Sequence, residues 1–358
     1  MFPGQSEFYV IFQSLLVALV TMLILAWASI QLAWRIKLID FPNREPHKLH
    51  DRPIPEAGGI ALLGTLIICG YIIGTLKDPR IAGTLIAATP IFFLGLWDDF
   101  KPISPFFKLI GQVIAALLLI QFGIRIGIFE SPGFFLYGSG GIYVALDWFI
   151  TIIWVVGITN AFNFVDSMDG LLAGLAGVSL SFFLLITLDA GQPILSFQSA
   201  ILLGACIGLY FYNSSPALLF LGDSGSQLLG FVIAVIAITY NPQGVSQASS
   251  WFVPILLLGI PIFDAVLVVI SRLHHRRPLS LAARDHTYHR LLGLGIGSTR
   301  AVLIMQFAAL ILGCIAYLCL GQPPQIANLI FGLIILVGFV ALVFMQSLDN
   351  SNNLKESP

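Results

Sequence analysis

Apolar runs of about 20 residues recur along the whole chain, separated by short segments in which Pro, Gly, Asn, Asp and charged residues collect. At a rise of about 1.5 Å per residue, a helix of that length crosses the hydrocarbon core of a bilayer. The pattern predicts eleven spans, at 8–34, 58–76, 81–97, 107–124, 142–159, 170–188, 196–212, 225–240, 251–271, 301–320 and 326–346. The expected fold is therefore all-α, a polytopic membrane helix bundle. One transmembrane domain is expected over 1–346, followed by a short polar tail over 347–358.

Composition fits that picture. Of the 358 residues, 58% are hydrophobic and 10% charged, whereas a soluble domain carries about 25% charged residues. The formal net charge of -1 argues against nucleic acid, which needs a basic stripe to neutralise phosphates. The first run has no basic residue before it and is too long for a signal-peptide core, so it reads as a retained span. Cys69, Cys206, Cys314 and Cys319 all lie in apolar runs without metal-ligand spacing, which reads as core packing.

The placement of charge says more than its sum. When connections are assigned alternately to the two faces, one side collects fourteen of the 17 Lys and Arg residues, leaving only Lys77, Arg80 and Arg125 opposite. This is a strong positive-inside signal: the loaded face reads as cytoplasmic, with the N-terminus outside and the C-terminus inside. The same face receives all six histidines and Asp98, Asp99, Asp166, Asp169, Asp223 and Asp264. The segment 123–141, on the other face, reads as an amphipathic excursion or small hairpin without chemistry.

Carboxylates at span ends are costly to dehydrate and usually face a polar cavity, a partner or a metal. Asp98 and Asp99 follow an apolar run directly. Asn160, Asn163, Asp166 and Asp169 recur every third residue, which suits a hard divalent cation or a polar ligand, or, more blandly, a capped interfacial helix. Gly222-Asp223-Ser224-Gly225 can offer backbone N–H groups to phosphate and a carboxylate to a metal. In the basic stretch 272–290, His286 and His289 fall on one helix face and suit a diphosphate, although such a loop also anchors to anionic lipid. Zinc is disfavoured because no HExxH pattern occurs. Lys48, His50 and Arg52, with Gly58-Gly59, read either as an anion site or as an irregular loop.

In order, the stretches HKLHDRPIPEAGG, GLWDDF, NAFNFVDSMDGLLAG, FYNSSPALLFLGDSGS, PIFD and RDHTYHRL resemble the polyprenyl-phosphate N-acetylhexosamine-1-phosphate transferase family, which also includes the muramoyl-pentapeptide phosphotransferases. They span His47 to Leu291. The resemblance implies that Asp98 and Asp99 are the paired catalytic aspartates, and that Asp223 is the principal Mg²⁺ ligand with Asn163 and Asp166 beside it. Mn²⁺ is an expected substitute. It implies a uridine pocket lined by Asn213 and Phe220 and a diphosphate contact from His286 and His289. Asn160, Asp169, Arg290, Lys48 and His50 join the substrate-binding set. Tyr288 departs from the family pattern, standing where relatives resembling the GlcNAc enzymes commonly carry a histidine, whereas RPIPEAGG in place of the GTPTMGG of the muramoyl enzymes favours the GlcNAc branch.

The implied reaction transfers a HexNAc 1-phosphate from a UDP-sugar to undecaprenyl or another polyprenyl phosphate, releasing UMP, on the cytoplasmic side of the inner (plasma) membrane. Partners expected are the donor, the lipid acceptor, membrane lipids and a second copy in a homodimer, but no nucleic acid. An ion-coupled transporter is the rival from another class; it predicts mid-span charges and related halves. A CDP-alcohol phosphotransferase would carry DGxxAR, which is absent.

Overall fold

The computed structural model describes residues 5–42, 52–132, 134, 136–242, 247–278 and 285–356. Lys48 and His50, named above as substrate residues, lie outside them, as does His47.

The described chain is almost entirely helical. In order it forms α1 (Gln5–Ile36), the short strands β1 (Ile39–Asp40) and β2 (Ile54–Pro55), α2 (Gly58–Ile73), a 3₁₀ turn (Thr75–Lys77), α3 (Pro79–Phe100), α4 (Pro105–Gln121) and α5 (Gly141–Val165). There follow α6 (Leu171–Asp189), α7 (Pro193–Asn213), α8 (Gly222–Thr239), α9 (Gln247–Ser250), α10 (Val253–Leu257), α11 (Gly259–His274), α12 (Thr287–Gly293), α13 (Ser298–Cys319) and α14 (Pro324–Glu356). Starts are written in the sequence: Asp78 accepts from Arg80 N at 2.8 Å ahead of Pro79, and Ser104 caps α4 ahead of Pro105.

Among the described residues, eight helices are long and apolar enough to cross a membrane. The pair α9–α10 and α11 would count as a ninth span, bent by 67°. The sequence pattern predicts one span at 251–271. The break falls at Leu258–Gly259, between Pro254 and Pro261, each of which lacks the N–H that a continuous helix needs. The apolar helices α2 and α4, of 16 and 17 residues, are shorter than the usual spanning length.

α8 is the axis of the bundle. It packs against α3, α5 and α2 and is buried along most of its length, while α1 and α6 flank α7. Large apolar side chains on the outside, such as Trp27, Phe211, Phe307 and Phe339, are exposed, as expected of a lipid-facing surface. Loop 122–140 is pinned to the start of α5, with Phe129 N donating to Asp147 Oδ1 at 3.0 Å and Ile126 N to Thr151 Oγ1 at 2.9 Å. It contains no strand among the described residues, so the hairpin alternative is not what forms.

Candidate active site

The site is built at the N-terminus of α8. Four elements bring the chain there closely. β2 continues into the segment before α8: Phe220 N donates to Pro55 O at 2.9 Å, Gly58 N to Phe220 O at 2.9 Å and Gly59 N to Leu221 O at 3.0 Å. A Cβ on Gly59 would lie 2.6 Å from Gly225 N, so the paired glycines serve close backbone approach. The other elements are the last turn of α3, the first turns of α4 and the last turn of α5.

Neighbouring residues on a helix point about 100° apart, and Asp98 and Asp99 consequently do different things. Asp99 caps α8 from outside: its Oδ1 accepts from Asp223 N at 2.6 Å, and its Oδ2 accepts from Ser224 N at 3.2 Å and Ser224 Oγ at 2.6 Å. Gly222, at φ +70°, makes room, because a Cβ there would lie 2.8 Å from both Asp99 oxygens. Asp98 turns towards α4. It accepts from Ile103 N at 2.8 Å and from Lys108 Nζ at 2.7 Å, and the same ammonium also contacts Asp223 Oδ2.

Asp223 is held on both oxygens. Asn163 Nδ2 donates to Oδ1 at 3.0 Å and Gln227 Nε2 to Oδ2 at 3.2 Å. Asp166 lies just past α5, and among the described residues its carboxylate has no hydrogen-bond partner. Burial, then the charges of Asp223 and Asp99, push it up to about 8. Lys108 therefore sits amid more negative charge than it can neutralise.

Among the described residues no three His, Cys, Asp or Glu side chains converge into a metal cage. Mg²⁺ does not require one: it takes one or two carboxylates and completes its shell with water and substrate phosphates. Asp223, the unpartnered Asp166 and the amide oxygen of Asn163 are hard donors of that kind, so the residues present fit it.

The other sequence-predicted residues divide. Asp169 Oδ2 accepts from Ala217 N at 3.0 Å, and buried Asn213 joins Gly170 N at 3.1 Å to Leu219 O at 3.1 Å. Both brace the segment that carries half-buried Phe220. Asn160 points away from Asp223 towards Gln112, to which its Nδ2 donates at 2.7 Å.

The histidine motif docks on α11. Asp264 Oδ2 lies 2.8 Å from His286 Nδ1, and its Oδ1 accepts from Thr287 N at 2.7 Å. That leaves His286 Nε2 as the nitrogen available to a ligand. Tyr288, in the middle of the motif, is buried with its hydroxyl 2.6 Å from His289 Nε2. Arg290 is engaged with protein atoms, donating to Ser271 Oγ at 3.0 Å, to Asp285 O at 3.3 Å and to Met345 O. Phe164 bridges the two halves, 6.2 Å from the His286 ring and beneath Arg272.

Sequence reasoning missed Lys108 as a site residue. The available signal was Lys108 and Gln112 at i, i+4, two polar residues on one face of an otherwise apolar helix.

Fold and site together define a multi-pass membrane protein with an acidic, lysine-bridged centre at the ends of its central helices. Residues 81–241, which run from α3 through α8 and hold that centre, match the family described as glycosyl transferase family 4. The chain is 29% identical over 334 residues to a probable undecaprenyl-phosphate N-acetylglucosaminyl 1-phosphate transferase of Bacillus subtilis, covering 92% of this chain and 89% of that one. It is 28% identical over 344 residues to a decaprenyl-phosphate N-acetylglucosaminephosphotransferase of Mycobacterium tuberculosis, covering 87% and 83%. It is also 28% identical over 297 residues to an undecaprenyl-phosphate alpha-N-acetylglucosaminyl 1-phosphate transferase of Escherichia coli O157:H7, covering 80% and 78%. The central part of the chain is thus similar to glycosyl transferase family 4.

Proposed function

We propose that the chain transfers N-acetylglucosamine 1-phosphate from UDP-N-acetylglucosamine to a polyprenyl phosphate, releasing UMP, as an early step of cell-envelope glycan synthesis. The observation that carries this reading is the meeting of Asp98, Lys108, Asn163, Asp166 and Asp223 around the start of α8, inside the segment matching the family. An oxygen of the lipid phosphate attacks the phosphorus that bears the sugar. A new P–O bond forms as the bond to the bridging oxygen breaks, and UMP leaves with that oxygen.

Both substrates are anions, so the site must offset their repulsion. Lys108 is the resident cation for this purpose. Asp98, bonded to Lys108, orients the attacking phosphate, while Asp99 keeps the start of α8 in place. Asp223 and Asp166, with the Asn163 amide, would hold Mg²⁺, which neutralises diphosphate charge and the charge developing on UMP when bound. His286, tethered by Asp264, offers Nε2 to the diphosphate.

Counting the bent pair as one span and adding α2 and α4 would make eleven crossings, and the charge bias between the faces then favours an N-terminus outside. The excess of Lys and Arg on the face that holds the site supports a cytoplasmic centre in the inner membrane.

The test is reconstitution of the full chain in nanodiscs with radiolabelled UDP-GlcNAc and undecaprenyl phosphate. A Mg²⁺-dependent lipid-linked product is expected, reduced at least about 100-fold by Asp223→Asn. No product from the wild type, or full activity in Asp223→Asn, would overturn the reading. Competition by UDP-GalNAc and by UDP-MurNAc-pentapeptide identifies the preferred donor.

A further inference from the structure

Three amides lie on three helices beneath Asp223, and the proposed chemistry uses none of them. Gln112 of α4 and Gln227 of α8 are 1% and 2% exposed. Asn160 of α5 is half-buried beside them. An amide that loses water without gaining partners is costly to bury.

Asn160 Nδ2 donates to Val156 O at 2.8 Å and to Gln112 Oε1 at 2.7 Å. Gln112 Nε2 donates to Gln227 Oε1 at 3.0 Å and lies 3.3 Å from Asn160 Oδ1. Gln227 Nε2 donates to Asp223 Oδ2 at 3.2 Å. The direction of this ladder is forced by its ends. A backbone carbonyl and a carboxylate only accept, so Asn160 must turn its NH₂ to Val156 and Gln227 its NH₂ to Asp223. The oxygen of Gln227 then faces Gln112, which can satisfy it only by donating.

We propose that Gln112 and Gln227 are positioning residues for Asp223: with Asn160 they form a one-way amide ladder that fixes how the carboxylate is presented to a divalent cation. This rests on the reading of Asp223 as a cation ligand. Groups that hydrogen-bond a metal-ligating carboxylate set its orientation, and their loss typically weakens metal binding by about 10–100-fold. Asn163 restrains Oδ1 from α5, while Oδ2 is shared by the Lys108 ammonium and the ladder, which reaches it through residues of α4, α5 and α8. The competing role, plain adhesion between helices, would move stability without moving cation response.

Thermal unfolding of the purified full chain against Mg²⁺, with Mn²⁺ binding by EPR as a direct readout, separates the two. Gln227→Met and Gln112→Met are each expected to raise the half-saturating cation concentration by about tenfold. Because the ladder reaches Asp223 only through Gln227, the double variant should respond like Gln227→Met alone. Asn160→Ala, at the half-buried end, is expected to shift the response in the same direction with less burden on folding. Unchanged half-saturation in these variants, or additive shifts in the double, would overturn the inference while leaving the proposed function intact. A wild type with no response to either cation would overturn the metal reading itself, and this inference with it.

Discussion

At the scale of single residues, the adjacent aspartates are the sharpest case. Asp99 accepts three hydrogen bonds from the first turn of α8, whereas Asp98 bonds Lys108 and one backbone N–H. Asp99→Asn turns an NH₂ towards donors and should cost about 1–3 kcal/mol of stability, with activity lost through misplacement of Asp223. Asp98→Asn should leave the melting temperature within a few degrees and lower kcat. Melting curves beside turnover numbers check the contrast; equal destabilisation by the two would dissolve it. Asp166 supplies a pH signature. Its folded-state pKa, about 8, lies above the unfolded value of about 3.9, so between those limits the native chain holds a proton that the unfolded chain has released. Stability without divalent cation should therefore fall as pH rises through that window and level off above about 8. A cation held at this carboxylate, as proposed, would compete with that proton, so the stabilisation by Mg²⁺ should grow with pH over the same range. Unfolding midpoints with and without Mg²⁺ measure this, and Asp166→Asn should flatten it.

At the scale of elements, α11 and α12 form one unit through the buried Asp264–His286 pair. Asp264→Ala leaves the imidazole and Thr287 N without their acceptor, and breaking such a pair typically costs about 3–5 kcal/mol. Expected outcomes are a lowered melting temperature and proteolysis between α11 and α12 in limited digests; an unchanged digest would count against the tether. Which elements were legible follows from what each depends on. Helix starts at Pro79 and Pro105 are local signals, and so are the apolar runs, since the bilayer imposes their length. The grouping of Asp98, Asp166 and Asp223 was legible because all three end spans on one face. The bend at Leu258–Gly259 was not, because prolines are common in membrane helices and composition does not mark which of them breaks one. Nor were the partners of Asn160 and Asn213. Three-residue spacing places Asn160 near Asn163 along the helix, but their different directions around its axis send one to Gln112 and the other to Asp223.

At the scale of the whole molecule, the proposed reaction depends on sidedness, because its nucleotide-sugar donor and the acceptor phosphate must meet on one face. The loop carrying Lys101, between α3 and α4, borders the acidic centre, whereas Lys77 lies in the turn between α2 and α3, at the opposite end of α3. Both side chains are exposed, so a cysteine at either place can be labelled without disturbing the core. Of the native cysteines, Cys69, Cys206 and Cys319 are buried and Cys314 is exposed within apolar α13, so Cys314→Ser gives a quiet background. In intact spheroplasts, a membrane-impermeant maleimide should label Lys77→Cys and spare Lys101→Cys until the membrane is opened. The converse pattern would put the acidic centre outside and remove the donor from its reach. Labelling of both from outside would mean that α3 does not cross, and the count of eleven would then fail at the helix whose last turn carries Asp98 and Asp99.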